Sequence, residues 1–180
     1  MALKATIRKL DLQISDIDRN YYQDHSLTLA QHPSETDERM MLRVLSFAMF
    51  ADPALSFTKG LSSQDEPDLW SKSLSGEIEL WIDLGCPDES RIKKACGVAK
   101  KVVIVTYSGN TPVWWNKIKA NLKRFKNLTV VNLQDKTEGQ LSDLVSRAMD
   151  LNCTIQDGQV WLNSATDSLL TTPETLFPEE

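Results

Sequence analysis

Hydrophobic and polar positions alternate from the first residues of the chain. Leu3, Ala5 and Ile7 share one parity, and Leu10, Leu12 and Ile14 share the other. This predicts an extended segment over residues 2–16, with a bulge or bend near Arg8-Lys9 where the phase changes. Asp16 to Asn20 is polar and turn-like. Tyr21 to Ala30 reads as the returning strand, with Leu27 and Leu29 inward. The period then changes. His32-Pro33-Ser34 opens a helix, with Ser34 as N-cap and Asp37 in a capping-box-like position. Met40, Met41, Leu42, Val44, Leu45, Phe47, Ala48 and Met49 make that helix apolar over most of its surface, as in a helix central to a core. Its polar remainder is narrow: Glu35, Arg39 and Arg43 at i, i+4 and i+8. Asp52-Pro53 ends it.

Leu55 to Leu61 reads as a strand, followed by a hairpin. Ile78, Leu80, Ile82 and Leu84 alternate with Glu77, Glu79, Trp81 and Asp83, the period of a strand with one core face. Ser75-Gly76 supplies the turn, because glycine accepts the positive φ of a tight hairpin. Folding about that bond sets Lys72 opposite Glu79, Trp70 opposite Trp81 and Asp68 opposite Asp83, all on one face. Cys86-Pro87-Asp88-Glu89 starts the next helix, which runs through Arg91, Ile92, Lys93, Lys94, Ala95 and Val98. Val102 to Val105 reads as a strand buried on both faces. Thr111-Pro112 caps a helix to about Phe125, and Leu128 to Leu133 is again strand. Gly139 to Asp150 reads as a helix with Leu141, Leu144, Val145 and Ala148 inward. Asp157-Gly158 centres a hairpin over 154–162, and residues 164–180 read as a polar tail. The expectation is one α/β domain over residues 1–180 with a mixed central sheet, added N-terminal strands and a C-terminal hairpin.

Composition narrows the function classes. With 180 residues, 41% apolar and 25% charged, the chain suits one soluble core. No apolar run approaches the roughly 20 residues of a membrane span, and the N-terminus lacks a signal peptide's apolar block. Cys86, Cys96 and Cys153 read as free thiols in a reducing compartment, so the cytoplasm is expected. They make no zinc pattern with His25 and His32, which read as structural. A net charge of −5 argues against a broad nonspecific nucleic-acid binder, though not against a local basic groove. Nucleotide-binding glycine loops and a local nucleophile signature are absent from the sequence.

Three constellations carry candidate chemistry. Two carboxylates opposed across a hairpin repel, so Asp68 and Asp83 call for a cation, a shared proton or a metal ion. Hard divalent cations such as Mg2+ or Mn2+ take convergent carboxylates, with Glu66 and Glu35 or Glu38 available to complete the shell. The same acids also read as a solvated strand face. Arg39, Arg43, Arg91, Lys93 and Lys94 suit phosphate, or ordinary helix-surface pairing such as Arg39 with Glu35. Lys117, Lys119, Lys123, Arg124 and Lys126 beside Trp114-Trp115 form a basic helix with aromatic neighbours, able to track a nucleic-acid backbone or to bury its tryptophans in the core.

Five segments, MALKATI, SLTLAQHPSETDERMMLR, the DEPDLW to LWIDLG hairpin, PDESRIKKAC and TIQDGQVWL, resemble the YaeQ family of bacterial proteins, essentially end to end. That resemblance implies a variant of the restriction-endonuclease-like PD-(D/E)XK nuclease fold, whose core is helix, three strands, helix, strand. It makes Asp68 the first acid and Asp83, favoured over Glu79 by the hairpin register, the second. Glu35 or Glu38 matches the acid that some members of the fold place on the first helix. The lysine expected two residues after the second acid is replaced by Gly85, leaving Lys93 or Lys94 to supply it. Two functions follow as expectations. One is a Mg2+- or Mn2+-dependent phosphodiesterase acting on nucleic acid, with Asp68 and Asp83 on the metal, Glu35 or Glu38 assisting, Lys94 or Lys93 stabilising charge, and Arg39, Arg43 and Arg91 on phosphate. The alternative is a noncatalytic module on the same fold, binding nucleic acid or a protein partner, associated with transcription or RNA handling.

Overall fold

A computed structural model describes residues 4–59, 65–133 and 141–179. Two long strands open it, β1 (Thr6–Asp16) and β2 (Tyr21–Gln31), paired antiparallel without interruption from Thr6↔Gln31 to Asp16↔Tyr21. There is no bulge at Arg8-Lys9. Leu10, Leu12 and Ile14 set the buried parity for the whole strand, and Ile7 simply faces outward, half exposed. Ala2 and Leu3 lie outside the described residues.

The first helix, α1 (Asp37–Phe50), starts later than the sequence suggests. Thr36, not Ser34, is its N-cap, and the Thr36 hydroxyl accepts from the Arg39 amide. Ser34 is instead occupied with the His32 ring at 2.6 Å. Every residue from Met40 to Ala48 is buried. This is the all-round burial that its composition predicts.

The expected strand at 55–61 reduces to β3 (Ser56–Phe57), with Gly60 and Leu61 outside the described residues. The hairpin forms from β4 (Leu69–Lys72) and β5 (Ile78–Leu84), with Gly76 at φ 89 in its turn. Trp70 does face Trp81, but a bulge after Ser71 sets Lys72 against Ile78 rather than Glu79. Glu79 takes Lys100 instead, at 2.8 Å. Then follow α2 (Glu89–Val98), capped by Asp88, β6 (Ala99–Thr106), α3 (Thr111–Leu122) and β7 (Leu128–Asn132). Asn110 rather than Thr111 occupies the cap position of α3.

The C-terminal third departs most from expectation. Where a helix is predicted over 139–150, Ser142–Leu144 forms a single 3-10 turn, and Ala148 already begins β8 (Ala148–Gln156); Gly139 lies outside the described residues. β8 pairs parallel with β1, from Lys9↔Ala148 to Asp16↔Ile155, so a partner far away in sequence overrides the local helical pattern. β8 turns into β9 (Gln159–Asn163) through Asp157 and Gly158, both at positive φ. The segment expected as a loose tail carries β10 (Ser168–Thr171) and β11 (Glu174–Phe177).

The chain is a mixed α/β domain, but its strands form two sheets rather than one central sheet. One has the order β10-β9-β8-β1-β2, the other β11-β7-β6-β5-β4-β3. One core unites α1 with inward residues of both sheets, such as Leu12, Leu29, Ile82, Val103 and Leu151. The opposite face of the six-stranded sheet, with Trp81, Val102, Ile104 and Val130, packs against Ile92 and Ala95 of α2 and Trp115 and Leu122 of α3. Among the described residues no helix is long and apolar enough to cross a membrane.

A candidate site of paired acids and arginines

The N-terminal ends of α1 and α2 meet the start of β4 and the end of β5, and Glu35, Arg39, Asp68, Asp83 and Arg91 collect there. Asp68 immediately precedes β4. Its amide donates to the Ile82 carbonyl at 3.0 Å, and its carboxylate Oδ2 accepts from the Leu84 amide at 2.8 Å. Asp68 therefore brackets Asp83 on the neighbouring strand. Both acids are buried, at 6% and 2% exposure. The sequence expectation that these two carboxylates come together holds.

Their counter-charges are arginines from the two helices. Arg39 of α1 reaches Asp68 Oδ1 with Nη2 at 3.0 Å. Arg91 of α2 closes on Asp83 as a fork, Nε to Oδ2 at 2.8 Å and Nη2 to Oδ1 at 3.0 Å, and also donates to the Glu66 carbonyl. The Trp81 indole donates to Asp83 Oδ2 at 3.0 Å. Trp81 and Asp83 are two apart on a strand and so point the same way, as their shared face in the sequence pattern predicts.

Glu35 completes the cluster from one residue before the cap of α1. It takes Arg39 Nη1 at 2.8 Å, Arg43 Nε at 3.1 Å and Arg43 Nη2 at 2.6 Å. The i, i+4, i+8 stripe thus becomes one ion-pair ladder, with Arg39 shared between Glu35 and Asp68. Arg43 is fully buried, and its Nη2 is also held by the Ala30 carbonyl. Arg43, expected as a phosphate ligand, lies where solvent does not reach it and is paired with Glu35.

Electrostatics follow from this geometry. Burial raises the pKa of Asp68, and the neighbouring Asp83 adds to the rise, while Arg39 and the Leu84 amide oppose it. For Arg39, burial opposes its charge, but Asp68 and Glu35 outweigh it and the pKa is raised. The pKa of Arg91 is raised chiefly by its bond to Asp83.

The other candidates lie apart. Lys94 is exposed and pairs with Asp65 at 3.2 Å, and Lys93 is exposed without an ion pair among the described residues. With Asp88, Ser90 and Arg91, Lys94 and Asp65 line an open cleft of about 400 Å³ at the start of α2. Glu38 is half-buried on α1 and has no ion pair among the described residues. Gly85, two residues after Asp83, has φ 98, a backbone that a lysine would adopt only with strain. Among the described residues no group of three His, Cys, Asp or Glu side chains is placed to hold a metal ion.

Comparison with known proteins bears on this arrangement. The YaeQ protein family model matches residues 1–173. The YaeQ protein of Salmonella typhi, described as uncharacterised, is 48% identical over 170 residues, covering 94% of each chain. That of Escherichia coli K12, described in the same way, is 47% identical over the same span. The crystal structure of the YaeQ protein from Xanthomonas axonopodis pv. citri superposes with a TM-score of 0.93 at 49% identity, covering 96% of this chain and 98% of that one. The Pseudomonas syringae YaeQ crystal structure gives 0.92 at 30% identity, covering 97% of both.

Proposed function

The chain belongs to the YaeQ family, and on that premise we propose that it is a noncatalytic nucleic-acid-binding module built on a nuclease-like core. What supports the core is the element order α1, β3, β4, β5, α2, β6, with Asp68 beside β4 and Asp83 on β5. This is the helix, three strands, helix, strand sequence of that fold.

One observation carries the noncatalytic reading: every carboxylate oxygen of Asp68 and Asp83 already has a donor, and the charged donors are Arg39 and Arg91. A Mg2+ or Mn2+ ion needs oxygen ligands at about 2.0–2.6 Å. Here it would meet guanidinium nitrogens on the same oxygens, and like charges repel. The third acid, Glu35, is turned to Arg39 and Arg43. The side chains as arranged do not fit the metal, and the cluster balances three acids against three arginines without it. Among the described residues, Gly85 occupies the place two residues after Asp83, and Lys94 pairs with Asp65 instead. The three cysteines are free thiols, in keeping with a cytoplasmic protein.

A second reading, the Mg2+- or Mn2+-dependent phosphodiesterase, is favoured by the burial of two acids side by side on adjacent strands, an arrangement that costs stability. It requires Arg39 and Arg91 to leave the carboxylates. Calorimetric titration with manganese, beside an Asp68→Asn/Asp83→Asn double variant, separates the readings when paired with a cleavage assay on single- and double-stranded substrates. The module predicts no saturable metal binding and no cleavage, together with retained oligonucleotide binding. Saturable binding lost in the double variant, with metal-dependent cleavage, would replace it with the enzyme.

A further inference from the structure

The run from Thr111 to Asn127 holds Lys117, Lys119, Lys123, Arg124 and Lys126 and not one acid, in a chain whose net charge is −5. Three of these lysines converge on one cleft. Lys119, Lys123 and Lys126 line a depression of about 490 Å³ with Trp115, Phe125 and Phe177. None of the three has an ion pair among the described residues, although Lys94 and Lys100 elsewhere on the same sheet's helix and strand find acids. Glu179 is the only acid among the described residues lining the cleft.

The walls come from distant parts of the chain. Trp115 projects from α3 and is nearly buried, and the ring of Phe177 at the end of β11 lies 6.1 Å from it. Phe125 follows the helix and is half-buried, with the Arg124 guanidinium carbon 4.8 Å from its ring centre. The result is an apolar, aromatic floor under a rim of three lysines and one acid, Glu179. Lysines alone would suit any anion, and aromatic rings alone any apolar group; together they match a ligand that is flat and apolar at one end and anionic at the other.

We infer that this cleft binds a nucleoside phosphate, with the base against the aromatic floor and the phosphate on Lys119, Lys123 and Lys126. Its volume suits one nucleotide unit, either a free mononucleotide or the phosphorylated end of a single strand. The inference names the contact surface of the proposed module and to that extent rests on it.

The test is calorimetric titration of the full-length protein with 5′-AMP, adenosine and inorganic phosphate, beside anisotropy of a labelled 5′-phosphorylated oligo(dT). The variant is Lys119→Ala/Lys123→Ala, with Lys119→Arg/Lys123→Arg as the charge-retaining control and thermal melts to verify folding. The expected result is saturable binding of AMP or oligonucleotide, stronger than that of adenosine or phosphate alone. It weakens at least about tenfold in the alanine variant and with added salt, and is retained in the arginine control. A preference for oligo(dT) over AMP identifies strand ends as the source, and the reverse identifies free nucleotide. AMP binding that depends on the lysines, without oligonucleotide binding, supports the cleft and removes the module. Oligonucleotide binding unchanged in the alanine variant overturns the cleft and leaves the module standing. Phosphate bound as tightly as AMP, or no binding by any probe, overturns the inference.

Discussion

Arg39 Nη2 lies 3.0 Å from Asp68 Oδ1, joining the buried helix α1 to a strand entrance 29 residues further along the chain. The same guanidinium holds Glu35 with its other terminal nitrogen. Removing it as Arg39→Met leaves Asp68 buried with the Leu84 amide as its hydrogen-bond donor among the described residues. The expected cost is about 3 kcal/mol, because a buried charge that loses its partner keeps its desolvation penalty. Urea denaturation measures it. A second change, Asp68→Asn in the Arg39→Met background, should recover part of the loss, and an additive result would show that the two residues act independently.

The raised pKa of Asp68 has a definite sign in the stability curve. The folded chain holds this proton more tightly than the unfolded chain, whose carboxyl titrates near 3.8. The group's stabilising contribution is therefore full below that value and lost as pH rises through the higher folded pKa. Carboxyl carbon NMR should report a midpoint above 3.8 for Asp68. Asp83→Asn should bring it down, because it removes a repelling neighbour. A midpoint that does not move would mean that Asp83 adds nothing to the rise.

Gly85→Lys places a lysine at the spacing that nucleases of this fold use. Its backbone stands at φ 98, and the expected effect is a loss of about 1–2 kcal/mol without any gain of cleavage. Thermal melts and a nuclease assay on the same preparation read both halves.

Thiol reactivity should separate the three cysteines. Burial pushes the Cys96 thiol up to about 11 and the Cys153 thiol up to about 12, whereas Cys86 is exposed. Iodoacetamide at pH 8 should modify Cys86 first, with Cys153 reacting only in denaturant. Rapid labelling of Cys153 in the native protein would show that β8 opens locally.

Much of this architecture was legible before folding. Apolar alternation placed β1, β2 and β5, the apolar surface of residues 40–49 announced a helix buried all round, and Ser75-Gly76 and Asp157-Gly158 marked two turns. These are local properties: side-chain period and backbone preference act within a few residues. The approach of Asp68 to Asp83 was also readable, since a hairpin converts sequence spacing into a cross-strand neighbour. What the local pattern did not determine was the partner of each element. Residues 148–150 carry apolar spacing that suits a helix, yet they form strand because β1, about 140 residues earlier, offers a parallel edge. Residues 174–177 look like tail until β7 supplies their hydrogen bonds. The same holds for charge. The sequence places acids and arginines on separate elements, but only tertiary packing brings Arg39 to Asp68 and Arg91 to Asp83. Ion pairing depends on distance through space, and spacing along the chain sets that distance only within a helix or hairpin.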